Sequence, residues 1–366
     1  MLSQLSTPGR ERLARWVHGV LVAMLALIVM CFFLSSSGLN RHAPANFVDM
    51  VEGRAARPYV YRTLVPTMVR LVSSVFPDSA HTSVTHAAQT TRLKHLVSEW
   101  NIPAEAFLEF VLAFAFMYLS LIGFLFALRA LAGAVFELPR SFARKIQLIA
   151  LLLLPPMFCY SSFLYDFSSL LLFTLGLNLM VRQRWPAYFG VLAAASINKE
   201  TAILLPFVFG LYFLPRRQLL NGRFWPMLSA QIALWLLIKL GIDFVFRDNP
   251  GDVVEHHFYN HNLGLIHPYS IGTAFACLLL AMLMGVRWAQ TPRFLRTALW
   301  VLPVLVGLTL FLGYLDELRD YYEAFPVVVL LIAHGVARVM GVDIVTRPED
   351  VRARARMPVA DDAATR

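Results

Sequence analysis

The stretch AEAFLEFVLAFAFMYLSLIGFLFALRA, residues 104–130, decides the fold class. No charged residue lies between Glu109 and Arg129, and Phe, Leu and Ala fill most of the positions between them. About 20 consecutive apolar residues are enough for a helix to cross the roughly 30 Å hydrocarbon core of a bilayer. A helix that is apolar on all sides is either deeply buried or inserted in a membrane. The stretch therefore predicts a membrane-spanning helix.

The composition of the whole chain agrees with a membrane protein. The 366 residues are 58% hydrophobic and only 15% charged, whereas charged residues make up roughly 25% of soluble domains. This composition excludes an intrinsically disordered chain and disfavours a soluble core. The three cysteines each fall inside an apolar stretch without paired metal spacing, which argues against a disulfide framework or a zinc site.

Apolar runs separated by polar residues predict an all-α, polytopic membrane protein with about ten membrane segments. The first run is longer than the apolar region of a signal peptide, so we expect a retained first helix. In this interpretation residues 1–341 form a single transmembrane domain and residues 342–366 form a basic cytoplasmic tail. The segments lie near residues 17–36, 104–130, 146–165, 167–182, 186–197, 201–214, 224–246, 270–287, 296–314 and 321–341.

The distribution of Arg and Lys predicts the orientation of these segments. The net charge of +9 comes mostly from short basic clusters between apolar runs, which favours topology over nucleic-acid binding as its cause. Cytoplasmic loops carry an excess of Lys and Arg, so we expect both termini in the cytoplasm. The opposite, extracytoplasmic face then collects residues 37–103, the Tyr165-Asp166 turn, residues 247–269 and residues 315–322.

Two of the polar regions carry structure of their own. The first extracytoplasmic loop, residues 37–103, is too long for a plain connector. Apolar residues recur at helical spacing from position 60 to 75, which predicts a juxtamembrane amphipathic helix, and we expect a second short helix near 83–100. Residues 186–214 predict a pair of short helices, because one continuous helix would place Lys199 and Glu200 in lipid.

Ionisable side chains beside apolar segments are costly to bury, so those on the extracytoplasmic face are candidate functional residues. In the first loop, Asp49 or Glu52 could act as a general base on an acceptor hydroxyl. Arg62, with Tyr59 and Tyr61, could hold an anionic phosphate. A solvated loop with interfacial tyrosines explains the same residues equally well.

The turns between apolar segments add further candidates. Tyr165-Asp166 lies between two apolar runs, so the carboxylate needs a partner such as Lys199 or an arginine. The sequence Asn198-Lys199-Glu200-Thr201 combines a cation, a carboxylate and two hydrogen-bonding groups. It is compatible with a binding site and with a structural, self-paired turn.

Two more candidates lie near the end of the chain. His256 and His257 are adjacent in a polar loop and lack the fixed spacing of a metal site, so sugar or diphosphate binding is the favoured role. Glu317 and Arg319 precede the last apolar segment. An ion pair that orients Arg319 and an ordinary charged helix start both explain them.

These features together resemble the glycosyltransferase C superfamily, in a bacterial form. Its members are multi-spanning enzymes that take sugars from polyprenyl-phosphate carriers. The resemblance rests on the long first loop with acidic residues and amphipathic helices, and on four short motifs in the expected order. These motifs are Pro58-Tyr-Val-Tyr-Arg-Thr-Leu-Val-Pro66, Tyr165-Asp166, Asn198-Lys-Glu-Thr201 and Glu317-Leu-Arg319.

The resemblance implies an inverting transfer of sugar from a polyprenyl-phosphate donor to an extracytoplasmic glycan, lipid or protein acceptor at the bacterial inner membrane. An acid of the first loop serves as the base in that superfamily, which by position implies Asp49 or, less well, Glu52. Arg62, Lys199 and Arg319 are the expected phosphate contacts. No cofactor is implied for certain, and because metal dependence varies across the superfamily, a divalent cation stays open.

Two other classes of protein remain compatible with the sequence. A secondary transporter could use Asp166, Lys199, Glu200 and Lys239 to line a translocation path. A non-catalytic component of envelope polysaccharide assembly would bind a lipid carrier without turning it over.

Overall fold

The computed structural model describes residues 7–35, 40, 42–90, 92–158, 162–220, 222–265, 271–286 and 288–347. The protein is 77% helix and 1% strand, which confirms the all-α fold class. The predicted cytoplasmic tail lies outside the described residues from position 348 onward.

Fifteen α-helices follow one another within the described residues. They are α1 (Thr7–Ser35), α2 (Phe47–Glu52), α3 (Leu64–Ser73), α4 (Asp78–Thr90), α5 (Leu93–Glu99), α6 (Phe107–Val135), α7 (Arg140–Leu153), α8 (Asp166–Val181), α9 (Trp185–Asn198), α10 (Leu204–Phe213), α11 (Phe224–Val245), α12 (Ile271–Gly285), α13 (Arg293–Ala298), α14 (Val301–Leu312) and α15 (Phe325–Val339). Two short strands, β1 (Phe136–Glu137) and β2 (Val345–Thr346), pair antiparallel with Phe136 opposite Thr346.

Short 3₁₀ turns join many of these helices. They cover Ala43–Ala45, Tyr59–Tyr61, Ala104–Ala106, Pro155–Phe158, Glu200–Ile203, Leu214–Leu220, Asn262–Leu265, Trp288–Gln290 and Leu318–Tyr321. Three of them, at Tyr59–Tyr61, Glu200–Ile203 and Leu318–Tyr321, carry residues that the sequence analysis selected as functional candidates.

Five helical runs in the described part of the chain are long and apolar enough to cross a membrane. They are Glu11–Ser35, Ala104–Val135, Ser141–Phe158, Phe224–Val245 and Arg293–Leu312. Each of the ten predicted segments contains a helix, but those at α8, α9, α10, α12 and α15 have at most 16 residues, short of a full span. The structure is thus compatible with a membrane protein, and the count of ten spans stays a prediction.

The core lies where α6 packs along α8, which in turn packs against α9 and α10. Residues of α6 that face α8 are apolar at helical spacing, and Phe110, Met117 and Phe124 are fully buried. Gly176 of α8 allows a close approach to α10, because a Cβ atom there would lie 2.7 Å from Cδ1 of Leu205. This packing holds the first residue of α8 and the turn after α9 side by side.

The first loop contains the predicted helices with altered boundaries. The amphipathic helix begins at Leu64 rather than position 60, because Tyr59–Tyr61 forms a separate 3₁₀ turn. Val65 and Val69 are buried in α3, whereas Leu71 is exposed on another face. The single helix predicted near 83–100 is instead two helices, α4 and α5.

The predicted pair of short helices at 186–214 is confirmed as α9 and α10. Lys199 adopts an extended backbone, with φ −156° and ψ 147°, so the chain breaks its helical path there. The 3₁₀ turn at Glu200–Ile203 then leads into α10. Lys199 and Glu200 therefore lie in a turn inside the helix bundle.

The loop after α11, residues 246–261, docks onto the first loop. The backbone N–H of Arg57 donates to the Pro250 carbonyl at 2.8 Å, and its guanidinium donates to the Gly251 carbonyl at 2.7 Å. Asn249 Nδ2 donates to the carbonyls of Gly53 and Ala55, both at 2.9 Å. Gly251 has φ +89°, a conformation that glycine adopts without strain.

Candidate functional site

A cavity of about 340 Å³ lies between the first loop, the turn after α9, and the segments that follow α11 and α14. Seven residues selected from the sequence line it, although they come from four separate regions of the chain. They are Tyr59, Arg62, Lys199, Glu200, His257, Glu317 and Arg319.

Arg62 is held by aromatic and acidic neighbours. Its Nη1 donates a hydrogen bond to the Tyr165 hydroxyl, and its guanidinium carbon lies 5.3 Å and 5.0 Å from the ring centroids of Tyr59 and Tyr165. Its Nε lies 3.7 Å from Oε2 of Glu200. Burial alone would lower the pKa of Arg62, but Tyr165 and Glu200 raise it above its ordinary value. Arg62 is therefore a fixed, permanently charged group.

Lys199 is paired with a carboxylate that the sequence analysis did not select. Its Nζ lies 3.3 Å from Oε1 of Glu323, and both side chains are buried. The Thr201 hydroxyl donates to the same carboxylate oxygen. Glu323 lies just before α15, in a stretch that contains both acidic and basic residues. This mixture of charges was the feature of the sequence that could have indicated Glu323 as a member of the site.

Arg319 belongs to a buried cluster of ion pairs, so the alternative of an ordinary charged helix start does not describe it. Its Nε lies 2.5 Å from Oε1 of Glu317, and its Nη1 lies 3.8 Å from Oδ1 of Asp166. The expected partner of Asp166 is therefore an arginine and not Lys199. The guanidinium also stacks on Phe163, 4.1 Å from the ring centroid, a contact that the sequence did not indicate.

The opposite side of the cavity is apolar. Trp235 of α11 and Leu305, Leu308 and Leu312 of α14 contribute to it. The Trp235 indole donates to the Glu200 carbonyl at 3.0 Å, which fixes the ring against the turn after α9. Both helices also expose apolar side chains on their outer surfaces.

A third group of side chains closes the cavity from the 246–261 loop. The Tyr59 hydroxyl donates to Oε2 of Glu255 at 3.1 Å, and His257 Nε2 lies 3.3 Å from the same oxygen. The His257 ring packs on Tyr314 with 4.4 Å between centroids. Burial raises the pKa of Tyr59 despite the opposing effect of Arg62, so the phenol stays protonated and acts as a donor.

The remaining candidates do not line the cavity. Asp49 and Glu52, on α2, are partly exposed and both pair with Arg54; Oδ1 of Asp49 lies 3.5 Å from the arginine Nη2. His256 is exposed. The Tyr61 hydroxyl donates to Asp243 at 2.7 Å, and burial together with this bond raises the pKa of Tyr61 to about 12.

Three other candidates support the cavity from behind. Tyr165 and Asp166 contact Arg62 and Arg319, as described above, without lining the cavity themselves. Asn198 Nδ2 donates to the Ser169 hydroxyl at 2.8 Å in the interior. Tyr165 and Asp166 thus orient the two arginines, and Asn198 fixes the end of α9 against α8.

Carboxylates outnumber Lys and Arg among the described residues that line the cavity. Arg62, Lys199 and Arg319 face Glu200, Glu255, Glu317 and Asp320. Within the described residues, no group of three or more His, Cys, Asp or Glu side chains is arranged to hold a metal ion. Comparison of the chain with models of protein families, with curated proteins and with solved structures found no match.

Proposed function

We propose that this chain is a membrane glycosyltransferase that moves a sugar from a polyprenyl-phosphate donor to an extracytoplasmic glycan, lipid or protein acceptor. The observation that carries the proposal is the division of the cavity into a charged side, which contains Arg62, Lys199 and Arg319, and an apolar side. A polyprenyl-phosphate sugar is divided in the same way, into an anionic phosphate with its sugar and a long hydrocarbon tail. Its tail would lie along α11 and α14, and its phosphate would face Arg62.

The size of the cavity suits the polar half of such a donor. Ligand pockets commonly measure about 300–1,000 Å³, so about 340 Å³ fits one sugar with its phosphate but not the isoprenoid chain. The tail must therefore remain outside the cavity. The apolar outer surfaces of α11 and α14 are suitable for it, because both runs are long and apolar enough to lie in a bilayer.

Arg62 lines the cavity with a charge that its neighbours do not fully compensate. Its buried Nε has no hydrogen-bond partner within the described residues, and the 3.7 Å separation from Glu200 is longer than a hydrogen bond. In the transfer reaction, negative charge develops on the leaving phosphate as its bond to the sugar breaks. Fixed cations stabilise that charge more strongly in the transition state than in the bound donor, which lowers the barrier.

The orientation in the membrane is part of the proposal. We infer that the ten apolar segments insert in a bacterial inner membrane, with both termini in the cytoplasm and the cavity on the extracytoplasmic face. The arrangement of basic clusters supports this orientation. The general base of the reaction is a carboxylate, either Asp49, expected from its position in the first loop, or one of those that line the cavity.

The test is transfer of labelled sugar from polyprenyl-phosphate and polyprenyl-diphosphate donors by the purified full-length protein. Arg62→Ala should lower kcat/KM for the donor about 10-fold or more, because hydrogen bonds to charged groups contribute about 1.5–3 kcal/mol. Arg62→Lys keeps the positive charge but loses the planar guanidinium, so it should recover only part of this kcat/KM. Arg70→Ala, at an exposed position of α3, is the matched control.

A folded wild-type protein that transfers sugar from none of these donors would contradict the proposal. An unchanged kcat/KM for the donor in Arg62→Ala would contradict the assignment of the phosphate side.

A secondary transporter is the second candidate, and one observation favours it. Lys239 lies inside the α11 span with its side chain 12% exposed, and its Nζ is 4.0 Å from Oε1 of Glu200. Buried ionisable groups of this kind occur along translocation paths. Substrate flux into proteoliposomes, together with access to the cavity from both membrane faces, would support the transporter over the enzyme. Donor binding without turnover or flux would instead support a non-catalytic assembly component.

A further inference from the structure

The carboxylate of Glu255 reaches the cavity from a loop that is anchored at several points. Arg57 and Asn249 tie residues 249–251 to the backbone of the first loop with hydrogen bonds of 2.7–2.9 Å. The backbone N–H of His257 donates to the Phe311 carbonyl at 3.0 Å, which attaches the loop to the end of α14. Glu255 is thus held between two fixed points of the fold.

The side chains that contact the Glu255 carboxylate are a tyrosine and a histidine, and neither is a Lys or Arg. Its Oε2 accepts from the Tyr59 hydroxyl at 3.1 Å and lies 3.3 Å from His257 Nε2. The Glu255 side chain is 33% exposed, so the carboxylate meets both the cavity and water. Protons can therefore leave it for solvent.

The other carboxylates that line the cavity face permanent cations. Glu200 lies near Arg62, and Glu317 contacts Arg319 at 2.5 Å. Asp320 interacts electrostatically with Lys199 and Arg319. A carboxylate held in such an ion pair is less free to turn toward a bound acceptor hydroxyl. Among the described residues, no Lys or Arg forms a salt bridge with Glu255, so its carboxylate is oriented by Tyr59 and His257 and is not engaged by a cation.

The position of Glu255 relative to Arg62 suits an inverting reaction. Tyr59 contacts both groups at different parts of its side chain, with Glu255 at its hydroxyl and the Arg62 guanidinium 5.3 Å from its ring centroid. In an inverting displacement the base and the leaving group lie on opposite sides of the sugar. In inverting glycosidases the two carboxyl groups are about 6.5–9.5 Å apart, which leaves room for the attacking water.

We propose that Glu255 is the general base of the transfer reaction and that Tyr59 and His257 position it; this inference rests on the proposed function. The acceptor hydroxyl oxygen forms a bond to the anomeric carbon while the bond from that carbon to the phosphate oxygen breaks. The electron pair of the broken bond stays on the polyprenyl phosphate. The hydroxyl proton passes to Glu255 and then to water, so the products are a glycoside, polyprenyl phosphate and one proton.

This assignment differs from the one expected from the sequence. Asp49 belongs to the first loop, but it does not line the cavity and it pairs with Arg54. A base must come within hydrogen-bond reach of the proton that it removes. Glu255 meets this requirement for a hydroxyl bound in the cavity.

The experiment uses the full-length protein and the donor that wild type turns over. Glu255→Gln should lower kcat about 100-fold or more with little change in the donor KM, because general bases typically contribute about 10²–10⁴-fold. Formate should restore part of the activity of Glu255→Ala by entering the space left by the carboxylate, an effect that a purely structural role would not produce. Asp248→Asn, an exposed carboxylate of the same loop, is the matched control and should keep the wild-type kcat.

The outcomes separate this inference from the proposed function. Wild-type transfer together with a full kcat in Glu255→Gln would overturn the base assignment and leave the glycosyltransferase proposal standing. Loss of kcat in Asp49→Asn but not in Glu255→Gln would return the role to Asp49. Loss of donor binding in Glu255→Gln, without formate rescue in Glu255→Ala, would make Glu255 a structural residue. Absence of transfer by wild type would overturn both proposals.

Discussion

Replacing Lys199 by Met removes the ammonium group from a buried ion pair at the wall of the cavity. Lys199 Nζ lies 3.3 Å from Glu323, and the two side chains are 9% and 3% exposed. After the change, the Thr201 hydroxyl is the remaining hydrogen-bond donor to the Glu323 carboxylate among the described residues. A carboxylate buried without its cation carries most of its desolvation cost uncompensated.

The expected loss follows from this geometry. Breaking a buried ion pair by removing one partner costs about 3–5 kcal/mol. At about 2 °C per kcal/mol, the lower end of the scale for larger domains, Lys199→Met should lower the unfolding temperature by roughly 6–10 °C. The double variant Lys199→Met/Glu323→Leu should unfold at a higher temperature than Lys199→Met, because it leaves no unpaired charge. Only the Thr201 hydroxyl then loses its partner.

The assay is thermal unfolding of the purified protein in detergent at one fixed scan rate, since irreversible unfolding makes the midpoint depend on the rate. Lys94→Met, at an exposed position of α5, is the control and should change the midpoint little. A midpoint of Lys199→Met within about 2 °C of wild type would refute the reasoning, on the same scale of roughly 2 °C per kcal/mol. A double variant whose loss equals the sum of the two single losses would show that the residues are not coupled.

Three further predictions concern the loops and the orientation. Gly251→Ala should destabilise the protein by about 2 kcal/mol or more, because Gly251 has φ +89° and the new Cβ would lie 2.6 Å from the Arg57 carbonyl oxygen. The control is Gly264→Ala, which has open space around it and should leave the unfolding temperature nearly unchanged in the same thermal assay. Asn262→Asp should lower the unfolding temperature more than Asn262→Ala. Asn262 Nδ2 donates to three carbonyls at the end of α14, and a carboxylate in its place would face those carbonyls without a proton to donate. Equal unfolding temperatures of the two variants would contradict this prediction. A cysteine at Ser79 should react with a membrane-impermeant maleimide in intact cells, whereas one at Arg217 should react only after permeabilisation, and the reverse pattern would overturn the orientation.

The helices of this fold could be predicted from the sequence because long apolar runs are a property of local composition. The segment 104–130 became α6, and the break at Lys199 followed from the cost of placing a cation in lipid. The number of spans could not be fixed in the same way. Helices such as α10, with ten residues, are apolar enough but too short to cross a bilayer alone.

The candidate site could be predicted only in part, since its cations and its acids come together through tertiary contacts. Tyr59 and Glu255 are 196 positions apart, and nothing in either neighbourhood indicates their hydrogen bond. Glu255 follows two exposed valines in a polar loop, so its local pattern is that of a solvated residue. The ion pair of Asp49, by contrast, could have been predicted from the local sequence, because its partner Arg54 is only five positions away.

The charge balance of the cavity limits what it can bind tightly. The carboxylates around Arg62, Lys199 and Arg319 offset much of the attraction that these cations would exert on a bare anion. On the proposed function, the isoprenoid tail therefore contributes chiefly by holding the donor in the bilayer beside the cavity, because each CH₂ group in the membrane adds about 0.8 kcal/mol to the anchoring. The cations then act chiefly as the phosphate gains charge during bond breaking, when a pre-oriented guanidinium is most effective. A site arranged in this way favours a lipid-linked sugar over a water-soluble sugar phosphate, because only the lipid-linked donor can use the apolar side of the cavity and the helices beside it.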